Sequence, residues 1–282
     1  MTTEQNPECN SCEQGPGSQC ETCPSKTKVG IDKLPVPEHS LIRHAVAVMS
    51  GKGGVGKSTV TALVASALAK KLKSVGVLDA DITGPSIPKL FGIKDRPEAT
   101  ALGLIPPKSL LGISIMSLNL LLPNEDDPVI WRGPLIGGAV QQFWTDVVWG
   151  DLDYLIVDLP PGTGDAPLTV LQSLPLDGII LVSSPQELAV MVVKKAIRMA
   201  EMLNVPILGV IENMSYLNCP HCGEKIELFG PSHVRAAAQA ENLKFLGALP
   251  VDPRLAELGD KGEIEEYPVD FLEGIEDIIG VI

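Results

Sequence analysis

Nine consecutive residues, Gly51-Lys52-Gly53-Gly54-Val55-Gly56-Lys57-Ser58-Thr59, have the types and spacing to hold a nucleoside triphosphate. Glycines let successive backbone N–H groups turn inward and approach a phosphate, and a following helix adds positive potential at its N-terminus. In such a P-loop Lys57 reaches the β- and γ-phosphates and the Ser58 hydroxyl ligates Mg²⁺, so MgATP is the expected ligand. Asp158 closes the run Tyr154-Leu155-Ile156-Val157 and fits the carboxylate that holds Mg²⁺ directly or through water. Behind it, Leu159-Pro160-Pro161-Gly162-Thr163-Gly164-Asp165 is stiffened at its entry by two prolines, while Gly162 and Gly164 allow close approach to a γ-phosphate. This reads as a switch loop that senses ATP against ADP. Asp79 and Asp81 end another apolar run, and strand alternation aims them the same way. Both are expected at the Mg–water cluster, Asp79 as a ligand and Asp81 positioning the attacking water or accepting its proton.

Such residues meet only where strand ends and helix starts converge. Short apolar runs at 44–50, 75–79, 113–117, 154–158, 178–182, 207–211 and 245–249 read as strands. Helices are expected over 60–73, 134–149 and 187–203, with another starting near 232. The fold class is therefore α/β: a P-loop NTPase whose mostly parallel sheet is flanked by helices on both faces. In the 187–203 helix, Met191, Met199 and Met202 read as core filler and Lys194, Lys195 and Arg198 as its solvated face. Residues 41–282 form the ATPase domain, preceded by a flexible tail over 1–40 that ends in the stiff connector Leu34-Pro35-Val36-Pro37.

The 282 residues are 45% hydrophobic with a formal charge of −13, which suits a globular chain and argues against binding nucleic acid or an anionic membrane. The first residues are polar and acidic and no apolar run approaches the roughly 18 residues of a membrane span, so a cytoplasmic location is expected.

All six cysteines fall in Cys-x-x-Cys pairs, which in a reducing compartment bind metal or do redox chemistry. Cys9, Cys12, Cys20 and Cys23 lie in the tail, where four thiols suit a zinc knuckle or an iron–sulfur cluster. Cys219 and Cys222 sit in Cys219-Pro220-His221-Cys222-Gly223, expected as a turn between the strand ending near Ile211 and the helix starting near Ser232. Two thiolates are half of a tetrahedral sulfur site, and a symmetric dimer would complete four ligands. A bridging [4Fe–4S] cluster, a structural Zn²⁺ and a redox dithiol are all open at this point.

Lys52, just after the first glycine, is not needed in an ordinary P-loop. With it the motif resembles the deviant-Walker-A ATPases, among them septum-positioning and plasmid-partition ATPases and the nitrogenase iron protein. That resemblance implies a homodimer in which Lys52 reaches the partner's nucleotide. The segments at 51–59, 79–88 (DADITGPSIP), 131–134 (WRGP), 153–165, 209–215 (GVIENMS), 219–222 (CPHC) and 247–254 (GALPVDPR) look like the Mrp family of iron–sulfur cluster carrier ATPases. This closer resemblance implies ATP hydrolysis and a [4Fe–4S] cluster bridged by Cys219 and Cys222. It also implies upstream assembly proteins and recipient apoproteins as partners. Asn213 would recognise the adenine, and Pro250 to Asp252 would form part of its pocket. The tail spacing differs from the four-cysteine motif of the family's eukaryotic cytosolic members. In addition, 258–267 carries charged residues where a tighter glycine and proline turn is expected.

Two other classes compete. An ATP-switched positioning protein would bind membrane or DNA, but the 269–277 stretch is acidic and lacks the basic amphipathic end such a membrane binder needs. A targeting ATPase with a structural zinc at Cys219 and Cys222 would need a methionine-rich client groove, and seven scattered methionines do not supply one.

Overall fold

The computed structural model describes residues 34, 35, 37, 39–81, 84, 86–122, 133–272 and 274–280, with the backbone alone at 133–136, 187–190 and 192. The tail thiols Cys9, Cys12, Cys20 and Cys23, and Trp131 of the WRGP segment, lie outside the described residues.

The chain alternates strand and helix as its apolar runs require. Strand β1 (Ser40–Ser50) leads through the glycine loop into helix α1 (Lys57–Lys70), then β2 (Val75–Asp79) and the short α2 (Ile87–Leu90). A hairpin of β3 (Glu98–Thr100) and β4 (Gly103–Ile105) precedes β5 (Ser114–Ser117) and α3 (Gly133–Thr145). There follow β6 (Gly150–Asp158), α4 (Asp165–Ser173), β7 (Gly178–Ser183), α5 (Glu187–Leu203) and β8 (Ile207–Asn218). The chain ends with β9 (Lys225–Ile226), α6 (Val234–Ala240), β10 (Phe245–Pro250), α7 (Pro253–Lys261) and α8 (Ile275–Ile279).

Seven strands pair in parallel in the order β10-β8-β7-β1-β6-β2-β5, and β9 pairs antiparallel to the end of β8. Alternation divides the core into two faces. Ala45, Ala47 and Met49 of β1 join Leu155 and Val157 of β6 beneath α3, α4, α5 and α6. Val46, Val48 and Ile156 point the other way, against α1, α7 and α8. Strands buried on both faces must be apolar at every position, and this makes the runs continuous in sequence.

Several boundaries differ from expectation. The third helix stops at Thr145, because Asp146 to Val148 leave it to pair with Leu104 of β4. Met199 is buried, but Met191 and Met202 are 52% and 83% exposed, so neither fills the core as expected. The connector packs on the body: the Leu34 N–H donates to the Ser173 carbonyl at 3.0 Å and the Trp144 indole to the Pro35 carbonyl at 2.8 Å. The charged stretch from 258 is the last turn of α7, closed by Gly262 at φ 78°. Beyond it, Glu265 is buried and accepts from the Ser109 hydroxyl at 2.6 Å.

Candidate functional site

Strands β1 and β6 lie side by side with Val48 opposite Asp158, but the helices that follow them pack on opposite faces of the sheet. Where successive connections diverge, the carboxyl ends of the strands open into a crevice. The glycine loop after β1 and the Asp158 loop after β6 border it. Gly54 and Gly56 adopt φ 78° and 75°, the left-handed region that turns their N–H groups into the loop. Gly56 is also the N-cap of α1, and no side chain caps that terminus. The first-turn N–H groups therefore face the crevice with the dipole's positive end, a ready anion site. A cavity of about 230 Å³ is lined there by Gly53, Gly54, Gly56, Lys57, Ser58, Thr59 and Asp81, among others.

The carboxylate of Asp158, fully buried, gathers three partners. Lys57 Nζ donates to Oδ2 at 2.7 Å and the Ser58 hydroxyl to the same oxygen at 2.6 Å. The Thr61 hydroxyl donates to Oδ1 at 2.6 Å. Lys57 Nζ also lies 3.8 Å from Oδ2 of Asp81, so one ammonium is shared by two carboxylates at the cavity wall. Gly162, at φ 96°, donates its N–H to the Ser50 carbonyl at 2.9 Å and ties the Asp158 loop to the mouth of the P-loop.

Asp79 has a different part from the one its alternation suggests. It does not line the phosphate cavity. Its Oδ1 accepts the Asp81 N–H at 3.1 Å and its Oδ2 the Ser117 hydroxyl at 3.1 Å. Burial above all, then the neighbouring charge of Asp158, pushes its pKa well above the usual carboxylate range. Asp79 thus holds the backbone of Asp81, and Asp81 is the member of the pair that reaches the cavity. Gly51 and Val55 frame the loop, and the Lys52 ammonium donates within its own chain to Gln186 Oε1 at 2.6 Å.

A second cavity of about 520 Å³ adjoins the first, since Gly56, Thr59 and Ser86 line both. Its walls are mostly apolar and include Asn213, Met214, Leu228, Phe229, Pro250, Val251, Asp252 and Leu255. The Asn213 amide donates to the Val55 carbonyl at 2.9 Å, and a Cβ built on Gly56 would meet Asn213 Nδ2 at 2.1 Å. Asn213 thus packs against the loop where only glycine fits. Asp252 caps α7 by accepting from the Arg254 N–H at 2.9 Å, and accepts the Tyr267 hydroxyl at 2.9 Å. Its carboxylate shapes the 250–252 loop instead of facing the cavity unbound. Burial and the bond to Asp252 push the Tyr267 pKa upward.

Cys219 and Cys222 line neither cavity. The strand before them does not end near Ile211 but continues to Asn218, where Leu217 and Asn218 pair with Ile226 and Lys225. Hydrogen bonding makes this extension possible: the Cys219 N–H donates to the Glu224 carbonyl and the Gly223 N–H to the Cys219 carbonyl, both at 2.8 Å. The thiols therefore stand at the tip of a hairpin, with Cys222 exposed and His221 exposed between them. Backbone N–H groups of Cys222 and His221 lower the Cys219 pKa, favouring the thiolate that binds metal.

Sequence reasoning passed over Thr61, Ser117, Gln186, Leu228 and Phe229. Thr61 had a legible signal, a hydroxyl one helical turn beyond Lys57 on the same face. The others come from distant segments and have no local spacing to reveal them.

The family model for ParA, described as the NUBPL iron-transfer P-loop NTPase, matches residues 41–277. An iron-sulfur cluster carrier protein of Methanocaldococcus jannaschii is 48% identical over 254 residues, covering 86% of this chain and 88% of the relative. The iron-sulfur cluster transfer protein NUBPL of Dictyostelium discoideum is 43% identical over 242 residues, covering 85% and 72%. Among solved structures, a nucleotide-binding protein from Archaeoglobus fulgidus in complex with ADP superposes with a TM-score of 0.75 at 48% identity, covering 82% of this chain and 91% of that one. The MinC:MinD cell division complex of Aquifex aeolicus gives 0.58 at 20% identity, covering 83% and 96%, a likeness of fold alone. With a family model spanning nearly all of the described body and relatives this similar over most of their length, the chain belongs to the ParA family of NUBPL-type iron-transfer P-loop NTPases.

Proposed function

We propose that this chain is an ATP-hydrolysing carrier that binds an iron–sulfur cluster and hands it to apoproteins. One observation carries the reading: β8 bears Asn213 against the P-loop and runs on to Asn218, directly before the turn that holds the dithiol Cys219 and Cys222. The carrier and transfer names of the relatives support it, as does the ADP of the Archaeoglobus fulgidus protein.

In this reading the triphosphate lies along the N–H groups of 53–56, with Lys57 on its β- and γ-oxygens and Thr59 at the turn towards the base. The hard oxygen donors Ser58 and Asp158 suit Mg²⁺, which when bound would neutralise phosphate charge. Asp81, facing the cavity beside Lys57, orients a water whose oxygen attacks the γ-phosphorus as the bond to the bridging oxygen breaks, giving ADP and phosphate. Asp79 keeps Asp81 in place. Asn213 holds the adenine, with Pro250 and the loop shaped by Asp252 beside it. In a homodimer Lys52 contacts the partner's nucleotide.

Among the described residues no group of three or more His, Cys, Asp or Glu is placed to hold a metal ion. A four-thiolate site made from Cys219 and Cys222 therefore takes two copies of the chain, with the [4Fe–4S] cluster as cargo between them. Movement of the 158–165 loop between ATP and ADP states shifts the dimer axis and loosens or admits the cluster. Cys9, Cys12, Cys20 and Cys23 of the tail would hold a second cluster or zinc.

The test loads the full chain anaerobically with iron and sulfide and mixes it with an apo-enzyme that needs a [4Fe–4S] cluster. Activation of the recipient by wild type, and not by Cys219→Ser/Cys222→Ser, is expected. Activation no faster than with free iron and sulfide overturns the carrier reading. Stoichiometric zinc at this pair, with no labile sulfide, would favour a positioning or targeting ATPase clamped by structural zinc.

A further inference from the structure

We propose that Leu228 and Phe229, in the segment following the dithiol hairpin, close the nucleotide site over the base, so that occupancy by the base is felt at Cys219 and Cys222. This rests on the reading of the site as one for ATP. The base is the occupant because the apolar cavity is continuous with the phosphate cavity through Gly56, Thr59 and Ser86, and Asn213 stands at the junction. A flat, weakly polar ring system in an apolar slot with one amide at its edge is the ordinary chemistry of a purine site. Leu228 and Phe229 are large apolar side chains left 49% and 46% exposed, yet both line this cavity with Met214, Val251 and Leu255. Burial against a base would remove that surface from water.

The segment is held at both ends, and this makes it a mechanical link. Before it, Leu217 and Asn218 pair with Ile226 and Lys225, and the Lys225 ammonium sits 4.2 Å above the Tyr216 ring. Behind it, the Ser232 hydroxyl donates to Glu212, a buried carboxylate that also accepts from Ser215 at 3.0 Å. The Tyr216 carbonyl in turn accepts the Val251 N–H at 2.7 Å, joining the hairpin to the 250–252 wall. Met214, between Asn213 and this hairpin, has φ 57°, a left-handed conformation rare for a side-chain-bearing residue. That bend lets one strand serve the P-loop and the cavity and then continue to the thiols. A base seated on Phe229 therefore bears on a short loop with fixed ends, and the adjoining turn holds the cysteines.

The test uses the full chain, reduced and metal-free. ATP and inorganic tripolyphosphate are titrated calorimetrically into wild type, Phe229→Ala and Phe229→Tyr. Alkylation of Cys219 and Cys222 by iodoacetamide is followed peptide by peptide. Phe229→Ala should weaken ATP about tenfold, the size of one lost base–aromatic contact, with affinity restored in Phe229→Tyr. Saturating ATP should slow alkylation of the pair in wild type, tripolyphosphate should not, and Phe229→Ala should lose the ATP effect. Equal ATP affinity in wild type and Phe229→Ala, or equal alkylation with ATP and tripolyphosphate, overturns the link while leaving the nucleotide site standing. A folded wild type that binds no ATP overturns both.

Discussion

At the phosphate end, the Lys57 and Asp158 side chains are 5% and 0% exposed, and three donors converge on one carboxylate. At the dithiol end, Cys222 is exposed at the tip of a hairpin fixed by backbone hydrogen bonds and two strand pairs. The first region is part of the core, so its chemistry and the fold's stability depend on the same atoms. The second projects from the core, so its chemistry can be removed with little change in the fold. Such a division suits a protein that keeps its nucleotide site and gives its cargo away. Substitutions at the two ends should therefore separate in stability as well as in activity.

Lys57→Ala should have the largest effect. It removes the proposed phosphate contact and leaves the Asp158 charge buried without its partner, costing about 3–5 kcal/mol of stability. Thermal unfolding and ATP calorimetry on the same sample check both losses, and a variant as stable as wild type would break the comparison. Thr61→Val keeps the shape but strips one donor from Asp158, and should cost about 1–3 kcal/mol in denaturant unfolding. Gly56→Ala places a Cβ against Asn213 and forces an L-residue to φ 75°, costing about 1–2 kcal/mol from the backbone alone. It should also weaken ATP more than tripolyphosphate, because Asn213 is what it displaces. Cys219→Ser/Cys222→Ser should change the stability of the metal-free protein by no more than about 0.5 kcal/mol, since Cys222 is exposed and Cys219 partly so. A large loss there would mean that the hairpin belongs to the core after all.

Much of this architecture was legible along the chain. Continuous apolar strands announced a parallel sheet, and the loop at 51–59 located the crevice because glycine, lysine and serine at that spacing have one common use. Asp158 was legible for the same reason. Local pattern failed where tertiary partners decide. Alternation aims Asp79 and Asp81 the same way, but it does not reveal that Asp79 accepts from Ser117 and the Asp81 N–H while Asp81 alone of the two lines the cavity. Met191 and Met202 read as core because methionine is apolar, yet their positions on α5 face outward. The extension of β8 to Asn218 was hidden because its partner, β9, is two residues long and carries a lysine. Phe229 gave no signal, since an isolated aromatic after a turn gains meaning only from the cavity it lines.

The most direct test of the central claim is anaerobic reconstitution of the full chain with iron and sulfide, followed by metal and labile-sulfide analysis. Wild type should be compared with Cys219→Ala/Cys222→Ala and with a chain lacking residues 1–40. The account predicts an oxygen-sensitive [4Fe–4S] absorption, about one cluster per two chains at this pair, that survives the truncation and is lost when the double substitution is added to the truncated chain. A truncated chain that binds no cluster, or zinc without labile sulfide in every sample, would contradict it.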